Sequence, residues 1–104
     1  MAAKARYLLS LGLASRAGKL VSGEQMTENA VRSGQARLVI LASDASENTR
    51  RHFENQCHYY GVPIVYAESR EVLGQAIGKV FRASAAVTDD NFASLITRQM
   101  KNER

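Results

Sequence analysis

Three short apolar runs constrain this chain more than any other feature: "RLVILAS" (37–43), "VPIVYA" (62–67) and "SAAVTD" (84–89). Each is too short for a core helix. The β-branched residues and lack of polar alternation are the pattern of a strand buried on both faces. Around these runs the apolar residues recur at helical spacing instead. Tyr7, Leu8, Leu11 and Ala14 predict an amphipathic helix over about residues 3–16. An extended segment near Lys19–Val21 follows, then a second helix from about Gly23 to Ser33, stopped by Gly34. Thr49, Phe53, Gln56, Cys57 and Tyr60 share one side of a third helix, ended by Gly61. Pro63 stands near the start of the second run, where a missing N–H is tolerated. Val72, Leu73, Ala76, Ile77 and Val80 mark a fourth helix capped near Ser69. Phe92, Leu95, Ile96 and Met100 define a last helix after Asp89 and Asp90. Helix and strand alternating in this way predict an α/β fold with helices on both faces of a small central sheet.

At 104 residues the chain fits one domain, 1–104, long enough for a core without disulfides or metal. No apolar run approaches the roughly 20 residues that span a bilayer. The N-terminal segment is interrupted by Arg6, Ser10, Gly12, Ser15 and Arg16, unlike the continuous apolar centre of a signal peptide. The single cysteine, Cys57, has no internal partner, which agrees with a reducing cytoplasm.

The net charge of +4 is unevenly placed. Residues 1–37 hold six cations (Lys4, Arg6, Arg16, Lys19, Arg32, Arg37) against two carboxylates (Glu24, Glu28). Residues 38–104 hold eight of each sign and balance. The whole excess therefore lies in the first third of the chain. Such a concentration suits a polyanionic partner, and it equally suits a solvated surface that keeps a protein dispersed.

Catalytic and metal motifs fail on spacing. Gly12, Gly18 and Lys19 suggest a phosphate loop, but five residues separate the glycines where the motif has four, and Leu20 stands where a Ser or Thr would hold magnesium. His52, Cys57 and His58 spread round their helix at steps of about 140° and about 100°, so they cannot converge on one ion. Asp44 follows a buried strand, a common place for catalytic groups. "DASE" also reads as a capping box with Asp44 as N-cap and Glu47 reaching back, and no partner base is arranged beside it.

The second helix carries the strongest binding signal. With Gln25 at zero, Asn29 falls near about 40° and Arg32 near about 340°, one polar stripe. Met26, Thr27, Ala30 and Val31 fall on the opposite arc, expected to face the core. The free N–H groups near Gly23 carry partial positive charge, and Lys19 approaches from the preceding segment. Gly23 leaves room for a close backbone approach. Phosphates would position on such an edge while amides read bases. Alternatively Ser22 and Gln25 form a capping box that turns Gln25 onto its own backbone.

The segments "RAGKLVSGEQMTENAVRSGQARLVILASDAS", "YYGVPIVYAESREVLGQAIGK" and "ASAAVTD", in that order, resemble the bacterial YlxQ-type proteins. These belong to the kink-turn RNA-binding superfamily of the ribosomal proteins "seven-Ae" and "thirty-e". The likeness runs from about Tyr7 to Asp90. It implies a three-layer α/β/α sandwich with a small mixed central sheet, and RNA held by two loops. The first, in which the superfamily has Gly-x-Asn-Glu and a lysine three residues later, corresponds to Gly23-Glu24-Gln25-Met26, with Asn29 at the lysine position. Gln25 keeps an amide, Met26 removes the acceptor and Asn29 removes the charge. The second maps onto Lys79-Val80-Phe81-Arg82-Ala83, where the two cations would hold phosphates. There Val80 or Phe81 would support an extruded base, or would instead complete the core of the fourth helix.

The expectation is a cytoplasmic, monomeric, non-catalytic RNA-binding protein without cofactor or metal, associated with ribosomes or kink-turn-like RNA. Its RNA-binding residues would be Lys19, Gly23, Glu24, Gln25, Asn29, Arg32, Lys79, Val80 and Arg82. The alternatives are a module docking an acidic or ribosomal protein partner and, more remotely, an enzyme using Asp44.

Overall fold

The computed structural model of the protein describes residues 6–101. The elements run α1 (Arg6–Arg16), β1 (Leu20–Ser22), α2 (Glu24–Arg32), β2 (Leu38–Ala42), α3 (Glu47–Tyr60), β3 (Ile64–Ala67), α4 (Arg70–Ala76), β4 (Ser84–Val87) and α5 (Asp90–Lys101). The expected start of the first helix, at about residue 3, lies outside the described residues.

The four strands form one mixed sheet in the order β1-β4-β2-β3. β2 pairs parallel with β3, and β4 pairs antiparallel with both β1 and β2. The two-residue repeat of a strand then sorts the core into two halves. Leu38, Ile40, Ala85 and Val87 face one side, where they meet Tyr7 and Leu11 of α1, Leu73 of α4 and Ile96 of α5. Val39, Leu41 and Ala86 face the other, against Ala30 and Val31 of α2 and Phe53 and Cys57 of α3. The result is a three-layer α/β/α sandwich. All five residues of β2 are buried, so both layers depend on it. Burial of each such Leu or Ile side chain contributes about 1.5–3 kcal/mol.

Two glycines set close approaches. A methyl group on Gly12 would lie 2.8 Å from the Ala76 carbonyl oxygen, so the bare Cα lets α1 press on the end of α4. One on Gly74 would lie 2.8 Å from the Val80 oxygen and 2.9 Å from the Phe81 nitrogen. The chain after α4 folds straight back along that helix.

This return corrects the predicted fourth helix, which ends at Ala76 and does not continue to Val80. The amides of Ile77 and Lys79 both donate to the Gly74 carbonyl, at 3.1 and 2.8 Å, and close the last turn. The capping box at Asp44 is also corrected. Ser46 caps α3, its Oγ accepting from the Thr49 amide at 3.1 Å. Asp44 Oδ1 instead accepts from the Arg70 amide at 2.8 Å and lies 3.6 Å from the Arg70 guanidinium, so it serves the start of α4. Tyr60, expected to share one side of α3 with Phe53 and Cys57, is the last residue of that helix and is 44% exposed. No helix among the described residues is long and apolar enough to cross a membrane.

Candidate nucleic-acid interface

The topology decides where a site can sit. β1, β2 and β3 point the same way, and each is followed at its C-terminal end by a helix. The N-termini of α2, α3 and α4 therefore gather at one end of the sheet, with their partial positive charge. β4 runs oppositely and enters from that same end, bringing with it the loop 77–83. Open α/β sheets characteristically bind ligands beyond these carboxyl ends.

The Ser22–Gly23 tip forms one half of the edge. Gly23 has φ 92° and ψ 159°, a conformation essentially reserved for glycine. Its amide donates to the Ser84 carbonyl at 3.0 Å, which ties the tip to the start of β4. No side chain caps α2. The N–H groups of its first turn are consequently left to an external acceptor. The inward-turned capping box is overturned: Gln25 Nε2 donates to Asn29 Oδ1 at 3.0 Å, so both amides lie outward on one stripe.

Arg82 forms the other half. Its Nε donates to Ser22 Oγ at 3.0 Å, and Nη1 donates to the Phe81 carbonyl at 2.8 Å. Its own amide donates to the Arg70 carbonyl at 3.0 Å. The guanidinium is thus held by Ser22 and by its own loop while its backbone is held by Arg70, and Nη2 has no partner among the described residues. A methyl group built on Gly23 would stand 3.9 Å from Arg82 Nε, so tip and loop are in contact. Lys79, on the same loop, is exposed and forms no ion pair among the described residues. Glu24 is exposed in the first turn of α2.

Apolar groups accompany these donors. Val80 is 73% exposed and Phe81 56%, so neither completes the core of the fourth helix. Met26, placed by periodicity on the core arc, is 52% exposed. It stands at the margin of that arc in the first turn, while Thr27, Ala30 and Val31 are buried as expected.

Two of the sequence-predicted residues stand elsewhere. Lys19 precedes β1 and its carbonyl accepts from the Thr88 amide at 2.9 Å, at the far end of the β1–β4 pair. Four extended residues put it about 13 Å from Gly23. Arg32 lies nine helical residues from Gly23, also about 13 Å, and pairs with Glu28 at 3.5 Å. Sequence reasoning missed Ser22 as the anchor of Arg82 and Arg70 as the holder of its backbone. Partners so far apart in the chain leave no local signal.

The other candidates have structural roles. Cys57 is 1% exposed in the core, where burial pushes its thiol up to about 11. His52 Nε2 lies 3.2 Å from Glu28 Oε1 and links α3 to α2. Gly18 supplies the positive φ of the turn between α1 and β1, at 73°.

The edge combines an uncapped helix start, an anchored guanidinium, a paired amide stripe and exposed apolar side chains. Comparison with known proteins agrees with the architecture. The model of the ribosomal protein L7Ae/L30e/S12e/Gadd45 family matches residues 7–97. The chain is 50% identical over 84 residues to the RNA-binding protein YlxQ of Bacillus subtilis (strain 168), covering 81% of this chain and 84% of that one. It is 41% identical over 83 residues to YlxQ of Enterococcus faecium, covering 80% of each. Among solved structures, a Bacillus halodurans protein of unknown function superposes with a TM-score of 0.90 at 38% identity, over 94% of this chain and 99% of that one. The Giardia lamblia 15.5kD RNA binding protein superposes at 0.79 and 25% identity, over 96% and 87%. Matched along most of its length by that family model and by these YlxQ proteins, the chain belongs to the ribosomal protein L7Ae/L30e/S12e/Gadd45 family.

Proposed function

We propose that the chain is a non-catalytic, cytoplasmic RNA-binding protein that grips structured, kink-turn-like RNA, ribosomal RNA included. The grip is the edge where α2 begins and the Arg82 loop ends. The observation that carries this reading is the hydrogen bond from Arg82 Nε to Ser22 Oγ at 3.0 Å. It fastens a guanidinium beside an uncapped helix start, so phosphate oxygens meet donors from two elements at once. Gln25 and Asn29 then face the bases, and Met26, Val80 and Phe81 offer apolar surface to a base turned out of its stack. The names of the YlxQ relatives and of the Giardia protein support the same class of ligand.

The three exposed apolar side chains also suit a protein partner, for instance an acidic or ribosomal protein, and salt separates the two readings. RNA binding weakens steeply with salt, in proportion to the phosphates neutralised, whereas an apolar dock weakens little. A short kinked RNA and a plain duplex are titrated over a salt series against wild type and Arg82→Ala. The kinked RNA is expected to bind more tightly, and Arg82→Ala to weaken it roughly tenfold and lower the salt slope by about one. Equal affinity and slope in a folded Arg82→Ala protein would remove Arg82 from the grip.

A further inference from the structure

The cations that set the charge of the first third of the chain do not sit at the grip. Within the described residues they are Arg6, Arg16, Lys19, Arg32 and Arg37. Arg6 opens α1, but the other four stand where α1 and α2 end and where β1 and β2 begin. That is the end of the sheet opposite Gly23 and Arg82. The strand register carries the point further. Leu20 and Leu38 both pair with Val87, so Lys19 and Arg37 flank the end of β4 two strand spacings apart, about 10 Å. Arg98 extends the surface along α5, where an open groove of about 450 Å³ is lined by Arg37, Pro63, Asp90, Thr97 and Arg98.

Among the described residues, the nearby carboxylates have partners. Asp89 Oδ2 accepts from the Phe92 amide at 2.9 Å and caps α5. Asp90 Oδ1 lies 3.1 Å from Arg37 Nε, and Glu28 is the partner of Arg32. Arg16, Lys19 and Arg98 form no ion pair among the described residues, and all three are exposed. Arg16, Arg32 and Arg98 stand in the last turns of their helices, where a cation complements the negative helix end. Lys19 lies beyond its helix and has no such role.

We infer that this end is a second RNA contact, a phosphate-binding surface made by Arg16, Lys19, Arg37 and Arg98. It takes the backbone of a duplex segment other than the one held at the grip, so that one protein bridges two RNA segments. Surface cations spaced over a strand end and along an open groove match sequence-independent phosphate contact. The inference rests on the RNA-binding reading, and the experiment keeps the two apart.

The full chain is saturated with a short kinked RNA, and a labelled plain RNA duplex of about 20 base pairs is then titrated in at low salt. Wild type is expected to form a ternary complex. Arg16→Gln/Lys19→Gln should weaken duplex recruitment about tenfold and lower its salt slope by about two, with the kinked RNA still bound. Lys19→Glu alone, which leaves the helix end intact, should weaken recruitment in the same direction. Recruitment unchanged in both variants overturns the inference, as does a duplex that enters only by displacing the kinked RNA, or one that fails to bind wild type. Should the kinked RNA itself not bind, the grip fails, and duplex binding to the free protein decides this end: loss in the variants supports it and equality overturns it.

Discussion

Cys57 shows how tightly the second core layer is closed. Its thiol is 1% exposed among Ala30, Val39, Leu41 and Phe53, and burial raises its pKa from 9.0 to about 11. The native protein should therefore resist iodoacetamide at pH 8 and react fully once unfolded, which a mass-resolved time course would measure. The same shift carries a pH dependence. A raised folded pKa contributes stability that is present below the unfolded value and is lost as pH rises through the folded one. Tyr66, raised from 10.0 to about 12 chiefly by its hydrogen bond to Glu54 and then by burial, has the same sign. Melting temperature should accordingly fall across about pH 9 to 12, the window of the two raised groups. A flat profile there, or rapid native alkylation, would show that this layer is open. At the same scale the sequence was partly legible. Periodicity puts Phe53 and Cys57 on one side of α3 and both are buried, but Met26 is not readable this way, because its angle lies on the apolar arc while it is 52% exposed in the first turn of α2.

Between elements, the position of Arg82 depends on Gly74. The loop 77–83 can lie against α4 because position 74 has no Cβ, and that path delivers Arg82 to Ser22. Gly74→Ala forces backbone away from backbone and should destabilise the fold by about 1–3 kcal/mol, as overpacking does. It should also weaken RNA binding beyond what the lost stability explains, because the guanidinium moves with the loop. Denaturant titration with RNA titration of the same variant checks both, and unchanged values in each would show that the loop has another path. The strands β2 and β3 were legible because their apolar, β-branched runs have few alternatives, and helices on both faces followed from the alternation; the mixed three-layer sandwich was implied by the family resemblance. The end of α4 was not. Ile77 and Val80 keep helical spacing, and the reversal that excludes Val80 from the helix is decided by packing at a glycine. Asp44 likewise looked like a cap for α3, yet Ser46 stands next to that helix and Asp44 reaches a partner 26 residues away. Local patterns name a cap; only the fold says which helix it serves.

For the molecule as a whole, the arrangement of strand directions separates two surfaces. The C-terminal ends of β1, β2 and β3 hold the uncapped start of α2 and the anchored Arg82, while the opposite end holds Lys19, Arg37 and the ends of α1 and α2. The sequence showed an excess of charge in the first third of the chain and a glycine-opened helix inside it. It showed an extended segment near Lys19–Val21 but not that this strand carries Lys19 away from the tip, so Lys19 and Gly23, four residues apart, lie at opposite ends of β1. The central claim is that one edge, made by the Ser22–Gly23 tip and the Arg82 loop, holds the RNA. Amide chemical-shift mapping during titration with a short kinked RNA tests it most directly. The largest shifts should fall on Gly23, Gln25, Asn29, Phe81 and Arg82, with Lys19, Arg37 and Asp90 unmoved; shifts confined to Lys19, Arg37 and Asp90, with Gly23 and Arg82 unmoved, would contradict it.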